Sequence, residues 1–378
     1  MQTADVIIVG GGLAGLVAAI ELSKAEKEVL LIEKKAYPYH KVCGEYISNE
    51  VLAYLQHLGF NPFNFGAVQI KKLRISTPLG HNLCTNLDLG GFGVSRYTMD
   101  HALYKLALKC GANIMENTRV TDITYSEDGH FTVETNNGSF TANFVIGSYG
   151  KRDSLDKKLN RSFIQSHTGY LGVKYHIKTK YPADEIGLDN FKGGYCGISG
   201  VENNTFNLCY LYKRPTERNY KTIPELQEKV LYKNPVLKEI FTSSDFLFEE
   251  PEVINEICFE QKRLIENHIL MCGDTAGLIT PLCGNGMAMA INAARILSSI
   301  LIQAKLEKSN ITIEERSKIE EAYYNAWNKN FKNRLFWGRA LQRTFGNPTV
   351  TSIFLNSVHA VKPVEKWLLK RTHGSPIM

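Results

Sequence analysis

The sequence ADVIIVGGGLAGLVAAIELSKAEKEVLLIE, residues 4–33, decides the fold of this chain. Asp5–Val9 is a short run of mostly β-branched apolar residues, which is typical of a strand buried on both faces of a parallel sheet. Residues 10–15 supply the pattern G-x-G-x-x-G, residues 16–24 are predicted to be helical, and residues 28–32 form a second strand that ends at Glu33. This order and spacing predict a dinucleotide-binding βαβ unit.

Each part of the unit has a mechanical role toward a dinucleotide. Gly10 permits the tight turn, Gly12 lets a diphosphate approach the backbone, and Gly15 lets the helix pack closely on the sheet. The helix N-terminus offers unpaired N–H groups and the positive end of a dipole to the phosphates. Because Glu33 can accept hydrogen bonds from ribose hydroxyls and disfavours a 2′-phosphate, the sequence predicts an NAD-like nucleotide or FAD.

Length, charge and cysteine usage favour a cytoplasmic protein over a membrane-spanning, secreted or nucleic-acid-binding one. The length of 378 residues suggests two domains, and the net charge of +6 is mild. No uninterrupted apolar run approaches the roughly 18 residues that span a bilayer, and no signal peptide precedes the first strand, so we expect a cytoplasmic protein. The eight cysteines are scattered without a C-x-x-C pair, which indicates reduced thiols and no zinc site. No dedicated nucleic-acid motif occurs, so we expect no nucleic-acid partner.

The rest of the chain is predicted to form three regions. Residues 34–48 look like a loop, and Thr98 is a plausible N-cap for a helix over 101–110. Strand-like runs at 170–177, 194–198 and 205–211, followed by helical patterns, indicate a second domain inserted into the first. We therefore predict a discontinuous nucleotide-binding domain, a sheet domain and a C-terminal helical region. The nucleotide-binding domain is predicted to comprise residues 1–75, 95–160 and 262–305. The sheet domain comprises residues 76–94 and 161–261, and the C-terminal helical region comprises residues 306–378.

A second informative stretch is Ile269-Leu-Met-Cys-Gly-Asp-Thr-Ala-Gly-Leu-Ile-Thr-Pro-Leu-Cys-Gly-Asn-Gly286. A strand is predicted to end at Asp274, a loop passes Pro281, and residues 284–286 open a long helix of small residues. An acid at a strand end can bind a sugar-like hydroxyl, and a Gly-rich helix N-terminus can hold a polarised oxygen or an anionic ring. Helix packing alone explains the alanines that follow, but not this combination of glycine, acid and proline.

Together the two stretches resemble the FAD-dependent oxidoreductases that share the p-hydroxybenzoate hydroxylase fold. The resemblance implies an α/β fold, in which a Rossmann-like FAD-binding domain carries an inserted antiparallel-sheet substrate domain and a helical C-terminal region. It implies that Asp274 contacts the flavin's ribityl chain, that Gly284, Asn285 and Gly286 lie against the isoalloxazine ring, and that Arg96 lies near the cofactor. The further cofactor-binding residues implied are Gly10, Gly12, Leu13, Ala14, Gly15, Glu33, Lys34, Cys43, Val120, Pro281 and Met287.

Within that superfamily the chain is similar to the geranylgeranyl reductases. Gly277 and Ala288 stand where hydroxylases usually carry histidine and asparagine. The segment 42–48, Val-Cys-Gly-Glu-Tyr-Ile-Ser, is similar to the reductases' Arg-Cys-Gly-Glu-Gly-Leu-Ser, whose cysteine loop borders the flavin. The resemblance implies hydride transfer from reduced flavin to a carbon–carbon double bond of an apolar polyprenyl or polyene-like substrate. A general acid, Cys43 or Glu45, would supply the proton.

Two alternatives remain open at this point. One is an FAD-dependent monooxygenase that hydroxylates an aromatic or polyketide substrate, and the other is a non-catalytic flavin electron-transfer module. Halogenases are disfavoured, because the three tryptophans do not form the Trp-x-Trp-x-Ile-Pro motif. The superfamily's Ala-Asp-Gly motif reads Ser148-Tyr149-Gly150 here, which leaves NADPH, NADH or a protein as the electron donor. The following Lys151 and Arg152 are either phosphate ligands or a solvated basic corner.

The C-terminal region interleaves aromatic and basic residues. A helical cap packed on the FAD-binding domain is the interpretation we favour, because cap helices are commonly amphipathic. The competing interpretation is peripheral contact with an anionic membrane surface, which would suit a lipid substrate. The residues concerned are Tyr323, Trp327, Phe331, Leu335, Phe336, Trp337, Leu341 and Phe345, with Lys329, Lys332, Arg334, Arg339 and Arg343.

Overall fold

The computed structural model describes residues 2–217, 220–280, 282, 284–304, 311–345, 349–352, 371 and 374–378. Its strands are β1 Gln2–Val9, β2 Val29–Ile32, β3 Tyr46–Ser48, β4 Val68–Ser76, β5 Asn82–Gly93, β6 Asn113–Met115, β7 Val120–Tyr125, β8 Phe131–Thr135, β9 Gly138–Gly147, β10 Tyr170–Lys178, β11 Glu185–Phe191, β12 Gly194–Val201, β13 Thr205–Lys213, β14 Asp245–Phe246, β15 Glu252–Asn255, β16 Ile265–Glu266 and β17 Ile269–Met271. Its α-helices are α1 Leu13–Lys24, α2 Leu52–Leu58, α3 Arg96–Lys109, α4 Ser154–Lys158, α5 Ile223–Lys229, α6 Pro235–Ser243, α7 Gly286–Gln303 and α8 Ile313–Thr344.

The first sheet contains the predicted βαβ unit. Its main strand order is β16-β17-β9-β1-β2-β6, and β1 runs parallel to β2 and β9. Helix α1 begins at Leu13, three residues before the predicted start, and packs between α3 and α7. All four side chains of β2 are buried, as the apolar pattern predicts for a central parallel strand. The Rossmann-like part of the predicted fold is therefore confirmed.

The second sheet has the order β14-β10-β13-β12-β11-β4-β5-β3, with β15 also paired to β10. Its pairs are antiparallel except for β4 and β11, which run parallel. On β10, Leu171, Val173, Tyr175 and Ile177 pack against α5 and α6. The alternate residues of this strand, which include Lys174 and His176, contact the segment that follows β2. The sheet is therefore covered on both faces.

Two predicted boundaries change in this region. Residues 68–75, assigned above to the nucleotide-binding domain, belong to β4 of the second sheet, because β4 and β5 are a hairpin that turns at residues 77–80. Residues 34–48, predicted to be a loop, end in the strand β3, which pairs with β5. A strand that lies within hydrogen-bonding distance of a sheet joins it whatever its distance along the chain from the other strands, so these memberships depend on the tertiary structure.

The predicted cap of α3 is wrong. The N-cap is Ser95, whose hydroxyl accepts a hydrogen bond from the Thr98 N–H at 3.1 Å, and the helix begins at Arg96. Glu202 accepts further hydrogen bonds from the Ser95 N–H and hydroxyl and from the Thr98 hydroxyl. Serine and threonine are both good N-cap residues, and the carboxylate from the second sheet favours the earlier start.

Helix α8 covers the first sheet. Its residues Tyr323, Trp327, Phe331 and Leu335 recur every fourth position and are buried in the main core. The Tyr323 hydroxyl also donates to the carbonyl oxygen of Met271 on β17 at 2.7 Å. This packing supports the interpretation of α8 as a cap.

Among the described helices, α7 is the one that is long and apolar enough to cross a membrane by length and composition. Its mean hydropathy is 1.3, and 61% of it is buried inside the molecule. Asn292 and Arg295 interrupt its apolar sequence. The sequence analysis expected no uninterrupted apolar run of about 18 residues, and α7 is not such a run. By mean hydropathy and length, however, α7 as a whole reaches the range of a membrane-spanning helix.

Candidate cofactor and substrate site

A cavity of about 610 Å³ lies between the carboxyl ends of the first sheet's strands and the inner face of the second sheet. Most of the predicted site residues line it together. Gly15 is absent from the lining, because it packs beneath the turn, and Pro281 falls outside the described residues. The predicted residues that line the cavity are Gly10, Gly12, Leu13, Ala14, Glu33, Lys34, Cys43, Glu45, Arg96, Val120, Asp274, Gly284, Asn285, Gly286 and Met287.

Of the three glycines in the G-x-G-x-x-G pattern, only Gly12 leaves space for a ligand beside its Cα. Gly10 has a φ of +101°, and a Cβ there would lie 2.6 Å from the carbonyl oxygen of Ser148. A Cβ at Gly15 would lie 2.1 Å from the carbonyl oxygen of Gly10. In contrast, a Cβ at Gly12 would meet nothing nearer than the side chains of Arg96 at 3.9 Å and Lys41 at 4.0 Å. The backbone at Gly12 is therefore open to a ligand.

Two cations flank that open point. Arg96 makes a bidentate ion pair with Asp100, with both distances 2.7 Å, and Lys41 bonds to the same carboxylate at 2.9 Å. Burial alone would raise the pKa of Asp100, but Arg96 and Lys41 hold it below its ordinary value. Burial and the neighbouring guanidinium lower the pKa of Lys41, which Asp100 opposes. Two positive groups and one negative group thus surround the N-terminus of α1, which suits an anionic ligand.

Glu33 lies at the carboxyl end of β2, as predicted, and is buried. Its carboxylate accepts hydrogen bonds from the Gly11 N–H at 2.7 Å and the Lys35 N–H at 3.1 Å. Lys34 forms an ion pair with Asp153 at 2.7 Å. Tyr39, which the sequence analysis did not select, lines the cavity with Lys35 and Lys41 at its ring. This end of the cavity is therefore polar and rich in cations.

The segment 42–45 is held against its surroundings at every residue. Lys151 donates to the Val42 carbonyl, so Lys151 is not a solvated corner, and Arg152 likewise donates to the carbonyl of Ile164. The other hydrogen bonds to this segment are Asn207 to the Cys43 carbonyl at 3.2 Å, Ser199 to the Gly44 carbonyl at 3.1 Å and the Val94 N–H to the Glu45 carbonyl at 3.3 Å. The segment is thus fixed in place beside the cavity.

The Glu45 carboxylate is fully buried and accepts three hydrogen bonds. Its partners are Lys174 at 2.5 Å, His176 at 2.7 Å and the Arg96 N–H at 2.7 Å. Burial alone would raise the pKa of Glu45, but the Lys174 ammonium and the His176 hydrogen bond lower it. Lys174 and His176 were missed by the sequence analysis, although their positions on the non-apolar side of the alternating strand β10 are a signal that points to them.

The second motif approaches the cavity from the opposite side. Asn285 is the N-cap of α7, and Gly286 is its first residue, so this helix N-terminus faces the cavity. Gly284 has a φ of +64°, and a Cβ there would lie 3.0 Å from the ring of Tyr46. Asp274 lies just after β17, and its carbonyl oxygen accepts a hydrogen bond from the buried Lys262 at 2.9 Å. The N-termini of α1 and α7 therefore both border one cavity.

Beyond these groups the cavity is apolar. One set of its lining residues comes from the β4–β5 hairpin and β11, and includes Leu73, Ile75, Leu83, Leu87, Ile186 and Leu188. Another set comes from β12, β13, β15, the loops around them and the end of α8, and includes Tyr195, Leu211, Ile254, Ile257, Leu341 and Phe345. Apolar space therefore adjoins the polar, cation-rich region.

Residues 3–310 match the protein family described as FAD binding domain. The chain belongs to this family. It is 25% identical over 340 residues to digeranylgeranylglycerophospholipid reductase of Methanosarcina acetivorans. The aligned region covers 85% of this chain and 80% of the relative. The chain is 29% identical over 199 residues to an uncharacterised protein of Methanosarcina barkeri, and that match spans only 47% of the relative's length.

Solved structures show the same fold. A geranylgeranyl bacteriochlorophyll reductase-like protein from Thermoplasma acidophilum matches with a TM-score of 0.74 at 17% identity, over 99% of this chain and 93% of that one. A flavin-dependent brominase matches with a TM-score of 0.77 at 15% identity, over 98% and 93% of the two chains. The predicted fold class is thus confirmed. The predicted resemblance to the geranylgeranyl reductases agrees with the sequence similarity to the Methanosarcina acetivorans reductase.

The residues present fit FAD, in agreement with membership of the FAD binding domain family. The open face of Gly12, the α1 N-terminus and the cations of Lys41 and Arg96 suit a diphosphate. When bound, FAD would supply the redox chemistry, while the protein supplies binding, orientation and electrostatics. The roles of the individual site residues toward FAD remain predictions.

Proposed function

We propose that this protein is an FAD-dependent oxidoreductase that reduces carbon–carbon double bonds of an apolar, polyprenyl-like substrate. The observation that carries the proposal is the continuity of the apolar space with the cavity region lined by Gly12, Cys43 and residues 284–286. An unsaturated chain in that space would lie beside the predicted flavin site. The name of the Methanosarcina acetivorans relative, digeranylgeranylglycerophospholipid reductase, supports the same class of substrate.

In this proposal the two predicted catalytic residues take different roles. The Cys43 thiol donates a proton to the substrate carbon that does not receive hydride, and the thiolate regains its proton from water. Glu45 is held ionised by Lys174 and His176, so it positions the segment and does not act as the acid. The N-terminus of α7 would stabilise negative charge on a flavin ring bound beside residues 284–286.

The monooxygenase and the electron-transfer module are the two alternatives that the test below distinguishes from the reductase. A monooxygenase would use the same cavity to hydroxylate an aromatic or polyketide substrate, and the brominase shares the fold. A non-catalytic electron-transfer module would have no use for an apolar cavity of this size. The predicted electron donor is NADPH, NADH or a protein, and Tyr149, in place of the usual acid, lines the cavity with its hydroxyl 3.3 Å from an Asp156 carboxylate oxygen.

The test is anaerobic reduction of the purified flavoprotein by NADPH, NADH or dithionite, followed by mixing with a polyprenyl alkene or with oxygen and an aromatic substrate. We expect a saturated product from the alkene. Cys43→Ala should leave reduction of the flavin unchanged and lower alkene turnover by about 100-fold or more. The matched control is Cys110→Ala, at a half-buried cysteine at the end of α3 that is not among the residues lining the cavity. An oxygenated aromatic product without alkene saturation would contradict the proposal.

We further propose that the end of α8 contacts an anionic membrane surface. Phe336 is 59% exposed, and the exposed Lys332 and Arg343 lie along the same side of the helix. Leu341 and Phe345, in the same part of the chain, line the cavity. Cosedimentation with vesicles of anionic lipid should fall for Phe336→Ser, and binding that is equal for both proteins would refute this contact.

A further inference from the structure

A buried carboxylate connects the second sheet to both cations at the open face of Gly12. Glu45 lies on the segment that follows Lys41, and it also accepts the backbone N–H of Arg96, the first residue of α3. One side chain therefore restrains the segment that carries one cation and the helix start that carries the other. The second sheet holds this side chain through Lys174 and His176.

The connection is energetically demanding. The side chains of Glu45 and Lys174 are both 0% exposed, so each charge depends on the other for compensation. Glu45 also has a φ of +53°, in the left-handed region that a residue with a Cβ seldom occupies. Such a conformation persists where the surroundings determine it strongly, and it is commonly found at functional sites. Here the surroundings are the three hydrogen bonds to the carboxylate.

A structural explanation restricted to the second sheet does not account for this arrangement. Lys174 lies on β10 and Glu45 immediately precedes β3, so the charged pair itself lies within the second sheet. The Glu45 carboxylate also accepts the N–H of Arg96 at the start of α3, and α3 packs against α1, whose N-terminus borders the cavity. The carbonyls of the segment 42–45 are already bonded to Lys151, Ser199 and Asn207. What the Glu45 carboxylate adds to these bonds is the restraint on Arg96.

We propose that Lys174 and His176 are positioning residues for the FAD diphosphate site, and that they act through Glu45 on Arg96 and Lys41. The sheet that lines the apolar cavity then also determines how tightly the cofactor is held. This inference depends on FAD as the cofactor and not on the reaction proposed above. A failure of alkene reduction would therefore leave it intact.

The experiment measures the Kd of FAD for the apoprotein by quenching of flavin fluorescence. Lys174→Met leaves Glu45 unpaired and threatens folding, so the second variant is Lys174→Met with Glu45→Gln, which removes both buried charges. The matched control is Lys178→Met, an exposed lysine on the same strand. We expect the Kd to rise about tenfold or more in the double variant and less than about twofold in the control, at similar apoprotein Tm.

A purely structural role would not change how FAD affinity responds to salt. Added salt should weaken FAD binding to the natural protein, because it screens the attraction of Arg96 and Lys41 for the diphosphate. In the double variant these two cations are displaced, so added salt should weaken FAD binding less. Lys174→Arg keeps the charge and should recover most of the affinity. A double variant that folds with unchanged Kd and unchanged salt dependence would overturn the proposal. So would a Lys174→Arg protein that is as weak as the double variant.

Discussion

Glu50 and Arg334, which are 284 residues apart in the sequence, form a buried ion pair with nitrogen–oxygen distances of 2.9 and 3.1 Å. Glu50 lies just after β3, and Arg334 lies on α8, so the pair joins the cap helix to the segment that follows β3. The N–H of Gly374 also donates to this carboxylate, and the Ile377 N–H donates to the Glu50 carbonyl at 2.8 Å. Three distant parts of the chain therefore meet at one acid.

This pair leads to the first prediction. Arg334→Met should lower the free energy of unfolding by about 3–5 kcal/mol, because it leaves a buried carboxylate without its partner. Urea unfolding followed by circular dichroism measures the change. The control is Arg334→Met combined with Glu50→Gln, which should recover a large part of the loss. A single variant as stable as the natural protein would show that the pair contributes nothing.

Replacement by alanine should have different effects at Gly12 and Gly15 of the G-x-G-x-x-G turn: loss of FAD binding at Gly12 and loss of stability at Gly15. Gly15→Ala should destabilise the fold despite the better helix propensity of alanine, because the new Cβ would lie 2.1 Å from the Gly10 carbonyl oxygen. Gly12→Ala should fold, since its φ of −79° suits alanine and the nearest side-chain atom is 3.9 Å away. Its methyl group would occupy the predicted diphosphate position.

Thermal unfolding and FAD titration of the two apoproteins test this contrast. We expect Gly12→Ala to keep nearly the natural Tm and to weaken FAD binding by about tenfold or more. For Gly15→Ala we expect a large decrease in Tm or a failure to accumulate folded protein. Unimpaired FAD binding by Gly12→Ala would mean that the cofactor does not approach the backbone at that point.

Leu188 on β11 offers a test of the apolar cavity that leaves the cofactor site alone. It lines the cavity and packs against both neighbouring apolar clusters. Leu188→Trp should fill part of the space and lower kcat/KM for an apolar substrate by about tenfold or more, with the Kd of FAD unchanged. Leu79→Trp, at a residue that is 71% exposed, is the control. Equal turnover by the two variants would place the substrate elsewhere.

Lys262 predicts a pH dependence of stability. Burial lowers its pKa from 10.5 to about 8. Between these two values the unfolded chain still binds the proton that the folded protein has released, so the free energy of unfolding should rise with pH in this window. The rise is limited to about 1.4 kcal/mol per pH unit.

The measurement is urea unfolding at several pH values between 7 and 10.5 for the natural protein and Lys262→Met. The difference between the two stabilities should change across this window and then level off. Lys238→Met, at an exposed lysine on α6, controls for general effects of charge. A difference that is independent of pH would show that Lys262 titrates in the folded protein as it does in the unfolded chain.

The sequence by itself determined the βαβ unit and the family resemblance. Strand, glycine turn, helix and acid are contiguous, and each depends on local backbone conformation and side-chain period, which a sequence displays directly. The glycines also revealed where a backbone must be open or tightly turned, and Gly10 and Gly15 have no space for a Cβ. Most of the predicted site residues line one cavity for the same reason, because the carboxyl ends of parallel strands meet at one edge.

Only the tertiary structure decided which polar residues complete the site. Lys174 and His176 lie 129 and 131 residues from Glu45 along the chain, and no local pattern records such a pairing. Strand β11 was not predicted, because Gly187, Asp189 and Asn190 have low strand propensity. Asp189 is buried in that strand by its bidentate pair with Arg74 on the neighbouring β4, at 2.6 and 3.0 Å. Buried charges are stable only beside their partners, and the fold alone brings those partners together.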